Sequence, residues 1–367
     1  MGRSQGQALN ETIESTWGGL ADFWYPLYLS RAIASNTTHA ITAFGIPLLV
    51  WRNAQGAISV FPDSCPHRHA PLSKGELSKG RLSPQQLQCP YHGWRFDHDG
   101  RCREIPVLPE QPCESIALHR LPSVDDGQIV WFYPGDPEGD RIVDFSPKLD
   151  ASNRANYLVQ EAFECDVDAL LDNFMDSPHT RFVHNGLIRK ESTYTPRTIH
   201  IVVDRHNTRK RLSVHHDPVQ ENIGIASRLF NPKGNPVRHC DRFISPNELE
   251  ITYSFHDEVP EFKTQIFLCP IDPQQTRSFI SIACRFPHFN RLVQWGIRLL
   301  APTVLNQDKH ILKLQSQNLD NFPEFEGYST AYDAVYLKIK RLRLQEKYRN
   351  EAAYPVAEKS ISLTIQV

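Results

Sequence analysis

Two short stretches, CPHRHAPLSKG from Cys65 and CPYHGWRFDHDG from Cys89, concentrate thiols and imidazoles between prolines and glycines. Side chains of these two kinds, brought together, hold metal. The spacing is Cys65-x-His67, then 21 residues, then Cys89-x2-His92. Two thiolates and two imidazoles suit tetrahedral zinc, or a [2Fe-2S] cluster in which two His replace two Cys on one iron. Zinc fingers keep each residue type in its own pair, C-x2-4-C with H-x3-5-H. Here each loop carries one Cys and one His, an interleaving that suits a two-iron rhomb with each loop reaching both irons. Gly93, Pro66 and Pro90 let backbone amides approach the sulfurs, and such hydrogen bonds help set the potential.

A second concentration is DVDALLDNFMDSPHTRFVHNG, Asp166 to Gly186. Asp172, Asp176 and His179 stand at i, i+4 and i+7, so on a helix they share a face, and Asp168 extends the row. His184 falls about 140° further round an ideal helix. Both imidazoles meet one ion only if the helix is distorted or ends between them. Pro178 favours such a distortion, because it lacks an amide donor and clashes with the preceding turn. The plainer alternative is a solvated acidic face with two incidental histidines.

The elements that must position these groups are legible in outline. From Ile41 to about Pro134 the chain runs in short β-like segments rich in Val, Ile and aromatics, bounded by Gly, Pro, Asn or Asp. NAQG at Asn53 and DHDG at Asp97 read as hairpin turns, which places both Cys/His loops at hairpin tips. PGDPEGDR at Pro134 reads as the end of that domain. Further on, HIVVD, RLSVHH, LEITYSF, KTQIFLCPI and RSFISIACRF predict an antiparallel sheet with one buried face, and PIDPQQTRSF joins two of them as a long hairpin. LAPTVLNQDKHILKLQSQNL reads as a helix with Pro302 near its start. On it Asp308 shares a stripe with Leu305, Ile311, Leu312 and Gln315. A carboxylate on an apolar stripe is costly to bury unless it meets a cation. The alternatives are an Asp favoured by the helix dipole or simply exposed.

CPHR-x-APLS-x-G followed by CPYHGW resembles the cluster motif of the Rieske non-haem iron oxygenases. D-N-x-x-D-x2-H-x4-H, with Phe182 in the aromatic slot, resembles the iron-binding element of the same family, and QDK resembles the way its carboxylate ligand is presented. Two departures stand out: His69 replaces a usual Gly, and SKGRLSPQQ lengthens the inter-loop hairpin. The resemblance implies an α+β chain. A tail over residues 1–22, partly flexible, precedes an antiparallel β Rieske domain over 23–150 and a helix-grip (START/Bet v1-like) catalytic domain with a C-terminal helix over 151–367. It implies a cluster held by Cys65, His67, Cys89 and His92. It implies mononuclear Fe(II) held by His179, His184 and Asp308, with Asp320 and Asp333 as the other carboxylate candidates, and positions left open for O2 and substrate. Asp176 matches a carboxylate that bridges the centres of two subunits, between iron ligand His179 and His92 of the next copy, in a head-to-tail homotrimer. Asn173 and Asp172 accompany it, Asp172 as an orienting group.

With neither a G-x-G-x-x-G nor a second cysteine cluster, electrons must come from a separate ferredoxin and/or flavin reductase, with NAD(P)H acting only through the reductase. The basic segment YLKIKRLRLQEKYRN is either a docking patch for an acidic ferredoxin or a helix packed on the core. The single-chain plan resembles monooxygenases and demethylases more than two-subunit dihydroxylases, and is similar to oxygenases of alkaloids and tetrapyrrole-type products. The absence of a C-terminal Cys-x2-Cys argues against the chloroplast pheophorbide-type branch. Substrate walls are expected among the strands between about Thr198 and Phe286. The competing functions are an electron carrier with a non-catalytic ligand-binding domain and a zinc-stabilised binding module.

Composition sets the bounds. The chain has 367 residues, 40% hydrophobic and 22% charged, enough for two domains with a sizeable core. A net charge of −2 gives no argument for nucleic acid or a membrane surface. ITAFGIPLLVW is too short to span a bilayer, and no signal-peptide run opens the chain. Eight cysteines, six of them without metal-type spacing, read as buried thiols in a reducing cytoplasm.

Overall fold

The structure, a computed structural model, describes residues 4–78, 85–135, 155–188, 196–206, 209–219, 235–255, 261–285, 290–325, 327–356 and 360–366. The chain divides into two compact units, residues 1–147 with 269–272, and residues 148–268 with 273–367. Where a partly flexible tail is expected, the first unit opens with helix α1 (Gln5–Trp17). Ser4 and Gln7 form a reciprocal capping box at its start, and Leu9 and Ile13 bury an i, i+4 apolar pair. A capped helix with one apolar stripe folds onto a core that a polar tail cannot join.

Short antiparallel strands make up the rest of that unit. In chain order they are β1 (Tyr25–Leu29), β2 (Thr37–Ala43), β3 (Ile46–Arg52), β4 (Ile58–Pro62), β5 (Glu76–Ser78), β6 (Gln86–Gln88), β7 (Arg95–Phe96), β8 (Cys102–Glu104), β9 (Ser123–Asp125) and β10 (Ile129–Phe132). They form three sheets, ordered β2-β3-β4, β5-β6-β7-β8 and β1-β10-β9. The NAQG turn joins β3 to β4, with Asn53 Oδ1 accepting from the amides of Gln55 and Ala57 at 3.0 and 2.9 Å. The DHDG turn joins β7 to β8. Gly100 there has φ +85°, and a Cβ would stand 2.7 Å from the Phe61 ring, so only glycine fits. Leu49, Trp51, Phe61, Leu87 and Phe96 pack in one cluster with Cys65 and Cys89.

The second unit is built on eight antiparallel strands: β11 (Ala155–Phe163), β12 (Pro196–His206), β13 (Arg209–Val219), β14 (Val237–Ile244), β15 (Glu248–Phe255), β16 (Glu261–Asp272), β17 (Gln275–Arg285) and β18 (Ile361–Gln366). Their order is β11-β17-β16-β15-β14-β13-β12-β18, so the C-terminal strand closes one edge. Alternate residues, Leu212 and Val214 on β13, Phe243 on β14 and Leu249 on β15, point to one face. Against that face pack Leu170, Leu171 and Met175 of α2 (Val167–Met175), Leu305 and Leu312 of α4 (Asn290–Asn321), and Val335, Ile339 and Leu342 of α5 (Ala334–Tyr348). A single turn, α3 (His179–Phe182), follows α2.

The helices correct two expectations and decide between the two readings of the basic C-terminal segment. The 32-residue α4 begins upstream of the expected start, so Pro302 lies inside it; helical turns on both sides carry the chain through the missing donor. The basic C-terminal segment is a packed helix, with Lys338 and Arg343 buried. Arg343 Nε donates to Asp168 Oδ1 at 2.5 Å, so Asp168 is an ion-pair partner for α5 and does not extend a ligand row. No helix among the described residues is long and apolar enough to cross a membrane.

Candidate metal centres

In the first unit each candidate cluster loop closes on its own cysteine. Cys65 N donates to Ala70 O and His69 N to Cys65 O, both at 2.9 Å. Cys89 N donates to Trp94 O at 2.8 Å, and Gly93 N to Cys89 O at 3.1 Å. The second loop is the tip of the β6–β7 hairpin, as expected. The first is not a hairpin tip: it carries the chain from β4 into a different sheet at β5. The lengthening of the β5–β6 hairpin falls mainly on residues 79–84, outside the described residues.

The four side chains pair by type there, the Cys65 thiol with that of Cys89 and the His67 ring with that of His92. The His67 and His92 rings lie 4.6 Å apart at 62°, and His67 stacks on Trp94 at 4.6 Å and 7°. His67 Nδ1 is buried with no hydrogen-bond partner among the described residues. Burial, with the neighbouring Cys89 thiol adding to it, pushes the Cys65 thiol up to about 11. Two contacting buried thiols and an orphaned imidazole nitrogen fit a cationic group that deprotonates the one and ligates the other. His69 stands apart, its Nδ1 3.3 Å from Ser64 Oγ and its φ at +59°, a conformation that glycine adopts without strain.

In the second unit His179, His184 and Asp308 converge. His184 Nε2 lies 3.1 Å and His179 Nε2 3.5 Å from Asp308 Oδ1. The two Nε2 atoms are 3.3 Å apart, with the rings at 74°. Nonparallel rings whose nitrogens meet at one point can share an ion, and three donors on one side leave the other side open. Burial raises the Asp308 carboxyl, but hydrogen bonds and charge from His179 and His184 outweigh it and hold it below the usual range. His184 is lowered by burial, yet Asp308 raises it overall. A cation is the natural substitute for the protons these groups share.

The local fold explains the convergence. α2 stops at Met175, and Asp176 leaves it extended at φ −92°, ψ 95°. His179 then starts α3, one turn that carries the chain on to His184. Asp172, Asp176 and His179 are therefore not on one continuous helical face. The break expected beside Pro178 falls just before His179, because Pro178 has no amide to donate and fits a helix start, and α3 ends again at Phe182, between the two histidines.

Supporting groups surround the three. Asn173 Nδ2 donates to Asp308 Oδ1 at 3.4 Å. Gln307 Oε1 lies 2.9 Å from His184 Nδ1, and the backbone carbonyl of Asp176 bonds His179 Nδ1. The Asp176 carboxylate faces differently: Oδ1 accepts from Tyr332 Oη at 3.0 Å and from the His179 amide at 3.4 Å. Burial pushes Asp172 up to about 7, with Asp176 and Asp333 adding to the shift. Asp333 bonds Thr330 and Asp320 bonds Gln274, so neither alternative carboxylate is at the site. Gln307 and Tyr332 were not evident from sequence. Gln307 is adjacent to a candidate ligand, a usable signal; Tyr332 carries none.

A family model of the Rieske [2Fe-2S] domain matches residues 23–123, and one of the vanillate O-demethylase oxygenase C-terminal domain matches residues 163–347. A chlorophyllide a oxygenase, chloroplastic, of Chlamydomonas reinhardtii is 32% identical over 50% of this chain and 27% of its own. The protochlorophyllide-dependent translocon component 52, chloroplastic, of Arabidopsis thaliana is 28% identical over 82% of this chain and 60% of its own. The chain thus spans between about a quarter and three-fifths of these relatives' lengths. Among solved structures, dicamba monooxygenase bound to dicamba superposes with a TM-score of 0.70 at 19% identity, over 91% of this chain and 99% of that one.

Proposed function

The chain belongs to the Rieske non-haem iron oxygenases, and we propose that it is the terminal oxygenase of a multicomponent system that uses O2 to hydroxylate or demethylate a small, cyclic or natural-product-like organic molecule. The observation that carries this is the meeting of His179, His184 and Asp308 within 3.1–3.5 Å, with nonparallel rings, inside the oxygenase C-terminal domain. An electron carrier has no use for a second, half-vacant ligand set. Monooxygenation is favoured over dihydroxylation by the similarity to dicamba monooxygenase and the single-chain plan.

When bound, the cluster supplies single electrons and the ferrous ion activates O2. Cys65, His67, Cys89 and His92 hold the first; His179, His184 and Asp308 hold the second. Gln307 and the Asp176 carbonyl fix the two imidazole rings by their far nitrogens, which sets tautomer and orientation. Asn173 steadies the Asp308 oxygen shared by both rings. Tyr332 anchors the Asp176 carboxylate, which then meets His92 of the partner subunit in a head-to-tail homotrimer. Electrons reach the cluster from a ferredoxin and/or a flavin reductase that draws on NAD(P)H. The eight cysteines are free, which fits a reducing cytoplasm.

Metal analysis of the reconstituted protein tests the reading: about three irons per chain is expected of the oxygenase and about two of a Rieske carrier. His179→Ala should lose one iron per chain and leave the cluster's visible spectrum intact. Two irons in the wild type after anaerobic ferrous reconstitution would reduce the protein to a carrier.

A further inference from the structure

The first described residues, Ser4-Gln5-Gly6-Gln7, divide a task among them. Ser4 and Gln7 close the capping box of α1. Gly6 is buried, and a Cβ there would stand 2.5 Å from His119 Nδ1, so glycine lets the helix start lie close against that ring. Gln5, fixed between them, turns its amide into the first unit. Its Nε2 donates to Ser64 O at 2.9 Å, and its Oε1 accepts from the His119 amide at 3.1 Å. An acceptor facing one end and a donor facing the other decide which atom is nitrogen and which is oxygen. These partners lie 59 and 114 residues along the chain from Gln5, so the side chain ties together segments that the sequence keeps apart.

Both partners lead to the ligand loops. Ser64 immediately precedes Cys65, at the entrance of the first loop, and Asp63 beside it accepts from Ser73 N at 2.7 Å. On the other side, Leu118 N, next to His119, donates to Gly100 O at 2.9 Å in the turn between β7 and β8. β7 is the strand that leaves the loop of Cys89 and His92. Gln5 thus spans from the entrance of one ligand loop to the support of the other. Each loop supplies one Cys and one His, so a shift of one loop against the other strains the thiolate pair and the imidazole pair together. The Cys65 sulfur also depends on the shape of its loop, because the amides of His67 and Arg68 donate to it. Hydrogen bonds of this kind tune the potential of an iron–sulfur cluster.

We propose that Gln5 is a positioning residue for the cluster: its one side-chain amide fixes the spacing of the two ligand loops, and with it the retention and the potential of the group they hold. This rests on the cluster reading of the first unit and involves neither the mononuclear iron site nor the substrate. A residue that orients a metal's surroundings from outside the ligand set acts on affinity and redox behaviour, where a residue that only adds to the core acts on unfolding.

The test uses the full chain loaded with cluster and iron. Midpoint potential is read by redox titration of the visible circular dichroism, and retention by the decay of visible absorbance in excess chelator. Gln5→Met keeps the length of the side chain and removes both bonds. Its cluster should decay about tenfold faster, and its potential should move to a lower value. Gln5→Glu keeps an acceptor for the His119 amide and removes the donor to Ser64, so both readouts should move in the same direction. Ile41→Val removes a buried methyl group elsewhere in the same unit; it should lower the unfolding midpoint and leave the potential in place. Should Gln5→Met fail to hold a cluster, Gln5→Glu decides. Wild-type potential and decay in the Gln5 variants, or an equal shift of potential in Ile41→Val, overturns the proposal. Because spectrum and iron are read in the same samples, failure here with about three irons per wild-type chain leaves the oxygenase reading standing.

Discussion

Two clusters of the second unit have the same inventory, two histidines and one aspartate, and differ in where their rings point. His179 and His184 come from a broken helix: one starts a single turn and the other follows it, so their rings turn to 74° and their nitrogens meet. His216 and His239 face each other as paired residues on adjacent strands, and the pairing holds their rings within 17° of parallel. A strand ladder projects opposite side chains side by side from one face. A helix break is free to aim them inward. Residue type alone therefore nominates two metal sites, and backbone geometry supports one.

The sharpest break in this comparison is loss of the ion itself. His184→Ala should remove one iron per chain and abolish O2-dependent turnover, measured by metal analysis and oxygen consumption, whereas His239→Ala should leave the iron count unchanged. Next in size is Asp176→Asn, expected to keep both metals and lower turnover about 10–100-fold, as loss of a group that orients a ligand does. Normal turnover in metal-replete Asp176→Asn would remove this residue from the relay. Gln307→Leu frees His184 Nδ1 and should weaken iron binding about tenfold or more, read by competition with a chelator.

Asp241→Asn probes the other cluster and concerns stability. Removing one partner of a buried charged set costs about 3–5 kcal/mol, measured by denaturant unfolding, with iron content unchanged. The pH dependence has a definite sign. The folded-state carboxyl of Asp241 is held below its unfolded value, so its contribution is present above the unfolded value of about 4 and is lost as pH falls through the folded one. Wild type should lose stability on acidification in a way that Asp241→Asn does not. The smallest effect expected is His69→Gly, which relieves a positive φ of +59°. It should stabilise the first unit by about 0.5–1 kcal/mol, the relief partly offset by glycine's chain entropy, with no change in the cluster's spectrum.

Much of this was legible in sequence because it is local. Cys65, His67, Cys89 and His92 sit in two loops whose prolines and glycines fix short-range geometry, and NAQG and DHDG specify their turns. The alternation in RLSVHH and LEITYSF announced a sheet with one buried face. Asp308 was legible through a single misfit, a carboxylate on an apolar stripe. The first cluster loop as a link between sheets, and the end of α2 before His179, depended on longer-range competition between elements. Tyr332 carries no local signal at all, since a buried tyrosine is compatible with any core.

The residues themselves decided which chemistry was available: thiols and imidazoles in alternation, and two histidines near a carboxylate-rich turn. Tertiary structure decided which of these groups meet and at what angle. A metal requires lone pairs that converge in space, and direction is a property of the folded backbone that spacing along the chain does not encode.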